Sequence, residues 1–213
     1  MTQNIRWHNE AIGKKAVAAL QRNHFEACYV ETKEAAAEKV LALIADGASV
    51  GVGGSMTIAA LDLEPRLLEK GCTIYNHNRA GLTPEESMAT RRKEILADVF
   101  LCSSNAVTLD GQLVNTDGSG NRVAAMCFGP KKVVVVAGVN KIVETAEEGR
   151  RRIALVAAPI NAKRLNRVTP CAETGCCADC ASLERICRVT TILHQKPMSV
   201  EFAVILVGEP LGY

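Results

Sequence analysis

Apolar positions along the chain switch repeatedly between a helical spacing and short unbroken runs, so the pattern predicts helices alternating with buried strands. Over residues 8–23, Ile12, Ala16, Ala19 and Leu20 share one stripe and predict an amphipathic helix. A short strand, Ala27–Val30, follows, and Thr32 is placed to cap a second helix reaching about Ala45. Ser49–Val52, Cys72–Asn76, Val99–Leu101, Lys132–Ala137 and Phe202–Val207 read as further strands. KVVVVA and FAVILV are apolar without alternation, as expected of strands covered on both faces. Helices are predicted after Thr57, over Val123–Phe128, and from about Glu144 to Ala158, where Pro159-Ile160-Asn161-Ala162 is read as the end. Thr83-Pro84-Glu85-Glu86 has the capping-box arrangement and should start a helix running to about Ala97. Asp110-Gly111, between Ala106–Leu109 and Gln112–Asn115, signals a two-residue hairpin, which interrupts the parallel pattern with an antiparallel ribbon. No internal repeat or linker divides the chain, so residues 1–213 read as a single α/β domain, a mostly parallel sheet covered by helices.

Polar residues collect where these strands end, which is where open α/β sheets place ligands. Gly53-Gly54-Ser55, between a strand and a helix, suits an anion cradle, with a plain tight turn as the alternative. His77-Asn78-Arg79 follows the Cys72–Asn76 strand. Arg91, Arg92 and Lys93 read as solvent-facing, with one available to turn toward a site. From Asn115 through Thr116, Asp117, Gly118, Ser119, Gly120 and Asn121 to Arg122 every residue is polar or glycine. A run of that kind before an apolar helix can aim amides, a carboxylate and a guanidinium into one pocket. Lys141, at the end of KVVVVA, either neutralises an anionic ligand or begins the next helix.

Composition narrows the classes. Aromatic residues are 4% and hydrophobic residues 48%, a balance of aliphatic sheets covered by helices rather than of β-sandwiches. The formal charge of +2 leaves no basic footprint for nucleic acid. No apolar run is long enough to span a bilayer, and the polar start MTQNIRWHNE predicts a cytoplasmic protein. In that compartment the nine cysteines read as thiols or metal ligands.

Five of the nine cysteines lie between Pro170 and Arg188. Cys171, Cys177, Cys180 and Cys187 give C-x5-C-x2-C-x6-C, in which the central pair can reach one metal across a single turn. Cys176 is left out, since neighbouring cysteines rarely serve one centre, and Ser182 is read as the N-cap of a turn of helix carrying Cys187 inward. Lys163, Arg164, Arg167, Arg185 and Arg188 flank the segment and would offset the negative charge of a thiolate-bound iron–sulfur cluster. A structural zinc, a disulfide pair and unligated thiols are the competing readings. Cys28, Cys72, Cys102 and Cys127 are expected to behave as small core residues.

Taken together, Gly51–Thr57, the stretch Ser104–Ala125 with its N-T-D-G-S-G-N-R core, Gly138-Val-Asn-Lys141 and PCxxTGxCxDCxSxxRIC from Pro170 resemble the LUD-domain family, the lactate utilisation protein C-like proteins, over nearly the whole chain. The resemblance implies a fold similar to ribose-5-phosphate isomerase, glucosamine-6-phosphate deaminase and CoA transferases, with the glycine turn and the N-x-D-G loop lining a cleft. It implies a part in lactate or related organic-acid oxidation, with a [4Fe-4S] cluster on the four cysteines or zinc in its place. A small anionic metabolite in the cleft, a redox partner protein and a homo-oligomeric assembly are the expected partners. The rival implication is an enzyme acting on a phosphorylated sugar or acyl-CoA, with Asp117 as its acid or base and Asn105, Asn115 and Asn121 as polar cleft residues. A third is a module sensing a metabolite in the cleft and redox state at the cysteines.

Overall fold

The computed structural model describes residues 2–213. In chain order the elements are α1 (Gln3–Arg22), β1 (Glu26–Val30), α2 (Lys33–Ala42), β2 (Ser49–Val52), α3 (Met56–Ala59), α4 (Glu64–Glu69), β3 (Thr73–Asn76), α5 (Pro84–Ile95), β4 (Val99–Cys102), β5 (Ala106–Thr108), β6 (Leu113–Asp117), α6 (Asn121–Cys127) and β7 (Lys132–Gly138). A 3-10 turn (Val139–Lys141) then leads to β8 (Ile142–Val143), α7 (Ala146–Arg152), a π-helical turn (Ile153–Ala157), α8 (Ala158–Arg164), α9 (Pro170–Thr174), β9 (Val189–Leu193) and β10 (Glu201–Val207).

Six strands form a wholly parallel sheet in the order β1-β10-β7-β4-β2-β3. In β7 the pleat turns Val133, Val135 and Ala137 to one face and Val134 and Val136 to the other, and all five are fully buried. One face packs on Val40, Leu41, Ile58, Leu63 and Leu67 from α2, α3, α4 and the turn between them, and the other on Ala16 and Leu20 of α1 and Met126 of α6. Burial on both faces is why β7 and β10 carry unbroken apolar runs. Thr32 and Thr83 cap their helices as expected, the latter through a complete capping box with Glu86.

Three sequence expectations are corrected. A hairpin does form at Asp110-Gly111, but its connection is three residues long, 109–111, with Thr108 facing Gln112 rather than a two-residue turn, and it is the centre of a second, four-stranded sheet ordered β8-β5-β6-β9. Its outer strands were not foreseen, although the β-branched run in Val189–Leu193 carried the signal. Pro159 does not end its helix, which runs on to Arg164, because the preceding π turn re-registers the hydrogen bonds where proline lacks an N–H. Ser182 caps no helix. Its carbonyl accepts from Arg185 N at 3.1 Å and its hydroxyl from Glu184 N at 3.2 Å, closing a turn instead.

Candidate functional site

β2, β3, β4 and β7 all end at one edge of the parallel sheet, delivering Gly54, His77, Ser103 and Lys141 to a common cavity of about 240 Å³. The chain leaves β2 for β3 on one side and returns to β4 on the other, so the cavity lies where the winding reverses. Among the described residues Arg91, Arg122, Lys141, Arg164 and Arg167 line it against a single carboxylate side chain, Asp117.

That carboxylate is engaged. Asp117 Oδ1 accepts from Arg122 Nη2 at 2.7 Å and Nε at 3.0 Å, while Oδ2 accepts from Val123 N at 2.9 Å, inside the first turn of α6. Arg122 also donates to the carbonyls of Ser103 and Thr116 and to the side-chain oxygens of Asn105 and Asn115. Asn105 Oδ1 in turn accepts from Thr116 N at 2.9 Å, and Asn115 Oδ1 from Asn105 N at 3.2 Å. The polar run that reads as one loop is therefore split: Asn115–Asp117 complete β6, Asn121 and Arg122 open α6, and only residues 118–120 connect them. The geometry gives Asp117 the task of fixing Arg122 and the start of α6.

Lys141 is the contrasting case. It is 3% exposed, and Nζ donates to Thr57 Oγ1 at 2.9 Å and Ser103 Oγ at 3.0 Å, with no carboxylate partner among the described residues. Burial first, then the charges of Arg152 and Arg122, push the amine down to about 7. Arg152 is held behind it by the carbonyls of Asn140 and Asn105.

On the opposite wall, His77 Nδ1 lies 2.7 Å from Glu94 Oε1, and the same oxygen accepts the His77 backbone N–H at 2.9 Å. Glu94 is 1% exposed and Oε2 has no partner among the described residues. A carboxylate on Nδ1 selects the tautomer that leaves Nε2 as an acceptor, and Nε2 lies against Gly54 of the cavity wall. Arg91, one turn before Glu94 on α5, donates from Nη1 to Ser119 Oγ at 3.2 Å, while its buried Nε has no partner among the described residues.

The cysteine segment closes one side. β9 pairs with β6, Arg188 N donates to Asp117 O at 2.9 Å, and Gly118 packs so tightly on Ile186 that a Cβ there would lie 3.3 Å from its backbone. Ile186 and Cys187 consequently form part of the cavity wall. Arg185 braces the segment through the carbonyls of Cys180 and Cys187, and Asp179 N donates to Cys177 Sγ at 3.4 Å. All nine cysteines are free thiols. The donor chemistry suits iron–sulfur or zinc, but among the described residues no three His, Cys, Asp or Glu groups are placed to share an ion. Ligation by Cys171, Cys177, Cys180 and Cys187 requires this exposed segment to draw together. Of the distal thiols, Cys72 and Cys102 are buried and Cys28 partly so, whereas Cys127 is exposed at the end of α6, contrary to expectation.

Of the residues singled out from sequence, Gly54, Ser55, Asn105, Asp117, Gly118, Asn121, Arg122 and Lys141 line the cavity, and Arg91 is the basic residue of α5 that turns toward it. Gly53 does not: its N–H donates to Leu101 O at 2.9 Å, and a Cβ would press on the Phe100 ring at 3.1 Å, so it is a close-packing glycine. Asn115 lies behind the wall, fully buried. The dependence of His77 on Glu94, the pairing of Thr57 with Lys141, and the arrival of Tyr213, whose hydroxyl donates to Asn161 Oδ1 at 3.1 Å, had no signature in the sequence. Each joins positions distant in the chain.

Fold and site together define an α/β protein with a cationic cleft at the carboxyl ends of a parallel sheet. The LUD domain family profile matches residues 13–207, and the chain belongs to that family. Among solved structures it is similar to a DUF162 family protein from Deinococcus radiodurans, with a TM-score of 0.53 at 16% identity over 93% of this chain and 98% of that one. It also aligns with a malonate decarboxylase α subunit from Acinetobacter baumannii, with a TM-score of 0.39 at 14% identity, over 97% of this chain and 38% of that one. No curated protein matches it. No helix among the described residues is long and apolar enough to cross a membrane.

Proposed function

We propose that the cleft binds a small organic-acid anion, and that the protein serves lactate or related organic-acid oxidation in the cytoplasm as an electron carrier or a subunit of a redox complex. The observation that carries the anion site is the imbalance of the cavity wall among the described residues: four guanidinium groups and the amine of Lys141 against one carboxylate that Arg122 already neutralises. Arg91, which lines the cavity and reaches Ser119 Oγ there through Nη1, is the guanidinium to meet a ligand carboxylate. Family membership supports the organic-acid role.

The redox role adds the cysteines. A [4Fe-4S] cluster on Cys171, Cys177, Cys180 and Cys187 is favoured by four unpaired thiols in a segment that β9 and the Arg188 N–H bond to Asp117 O anchor beside the cavity, with Arg185 bonded to the carbonyls of Cys180 and Cys187. Such a cluster would supply one-electron chemistry beside the cleft. The rival role, an enzyme on a phosphorylated sugar or acyl-CoA built on a ribose-5-phosphate isomerase or CoA transferase-like fold, depends on Asp117 as acid or base. The occupation of both its oxygens counts against it.

Calorimetric titration with L-lactate, pyruvate and inorganic phosphate tests the anion site, with saturable binding that Arg91→Ala weakens at least tenfold as the expected result. Absence of binding by all three ends the reading. Iron and acid-labile sulfide assays on anaerobically isolated protein test the cluster, and stoichiometric zinc without sulfide would replace it with a structural metal.

A further inference from the structure

Lys141 is an unusual way to provide a positive charge. A lysine that merely neutralises an anion keeps its ammonium hydrated or paired, because an uncompensated ammonium is costly to bury. Here the amine is buried between two hydroxyls, Thr57 Oγ1 and Ser103 Oγ, and the charges nearest it are guanidinium groups. Such surroundings favour the neutral amine, and with the group held at about 7 roughly half of it carries a free lone pair near neutrality. A neutral amine on a cavity wall is a nucleophile.

Resting on the reading of the cavity as an organic-anion site, we propose that Lys141 forms a Schiff base with a 2-oxo acid. The ligand class follows from what the wall offers: guanidinium donors for a carboxylate, and an amine held by two hydroxyls and no carboxylate for a carbonyl carbon. The Nζ lone pair attacks the carbonyl carbon, a C–N bond forms, and the carbonyl oxygen takes a proton to give the carbinolamine. Nζ then gives up its protons while the hydroxyl is protonated and leaves as water, so that amine and ketone become imine and water with no change in oxidation state. Thr57 and Ser103 hydroxyls stand at hydrogen-bond distance from Nζ to pass protons. His77, oriented by Glu94, is the acid–base group on the facing wall.

The test is reductive trapping. The full chain is incubated with pyruvate, reduced with sodium borohydride, and mapped by peptide mass spectrometry; lactate, which has a hydroxyl in place of the keto group, is titrated calorimetrically in parallel. One trapped pyruvate per chain on the Lys141 peptide is expected. Lys141→Arg, which removes the nucleophilic amine, should lose it. If lactate and pyruvate bind but nothing is trapped, or trapping scatters over exposed lysines such as Lys33 and Lys131, the Schiff base is wrong and the anion site stands. Failure of both anions to bind removes the organic-acid ligand and this inference with it. The wild-type map is decisive even if the variant does not fold.

Discussion

At the scale of single residues, the two basic side chains at the centre of the site have opposite logic. Arg122 has its donors matched by Asp117, Asn105, Asn115 and two carbonyls, so removing it strands a buried carboxylate. Arg122→Met should destabilise the fold by about 3–5 kcal/mol, readable in urea denaturation. Lys141 is held in the folded chain with its affinity for protons lowered from 10.5 to about 7. The unfolded chain therefore binds the proton more tightly, and the stability present above 10.5 is lost progressively as pH falls toward 7. Lys141→Met should flatten that slope and raise stability at neutral pH by on the order of 2 kcal/mol, the full shift being offset by the unpartnered Thr57 and Ser103 hydroxyls. Paired denaturation curves across this pH range check it, and an unchanged slope would show that Lys141 is solvated. By contrast Cys102, pushed up to about 12 by burial, should stay unreactive to alkylation in the native state.

At the scale of elements, two junctions hold the site's walls in place. Gly111 closes the β5–β6 hairpin at φ +86°, and a Cβ there would lie 2.5 Å from the Ala19 backbone, so the turn is seated directly on α1. Gly111→Ala combines left-handed strain with that collision and should cost about 2–4 kcal/mol, measured by thermal unfolding. The second junction is the cysteine segment. Cys171→Ser, Cys177→Ser, Cys180→Ser and Cys187→Ser should each sharply lower metal content and, with it, stability, whereas Cys176→Ser should change neither. Metal analysis of the five variants decides, and an essential Cys176 beside one dispensable member of the four would reassign the ligands.

At the scale of the whole molecule, a net charge of only +2 is compatible with a strongly cationic cleft because tertiary folding concentrates basic side chains that are dispersed in the chain. Pyruvate affinity should accordingly fall about tenfold between roughly 0.05 and 0.5 M salt, since screening weakens partly exposed charges; an affinity independent of salt would mean that hydrogen bonds alone hold the ligand. Local physics made much of this legible in advance. Unbroken β-branched runs such as Lys132–Ala137 mark strands buried on both faces, Thr83 and Glu86 mark a helix start, and polar residues after strands mark the edge where a ligand binds. These follow from side-chain period, capping and turn chemistry within a few residues. Other features depend on partners far along the chain: Glu94 selecting the His77 tautomer, Thr57 and Ser103 enclosing Lys141, β9 carrying Cys187 to the cavity wall, and Gly53 serving packing rather than binding. The sequence by itself determined which elements form and which strand ends are polar, because those are local free energies. Only the tertiary structure decided which of those polar groups are satisfied by the protein and which are left facing a ligand, because that depends on burial and on contacts between segments that the chain order keeps apart.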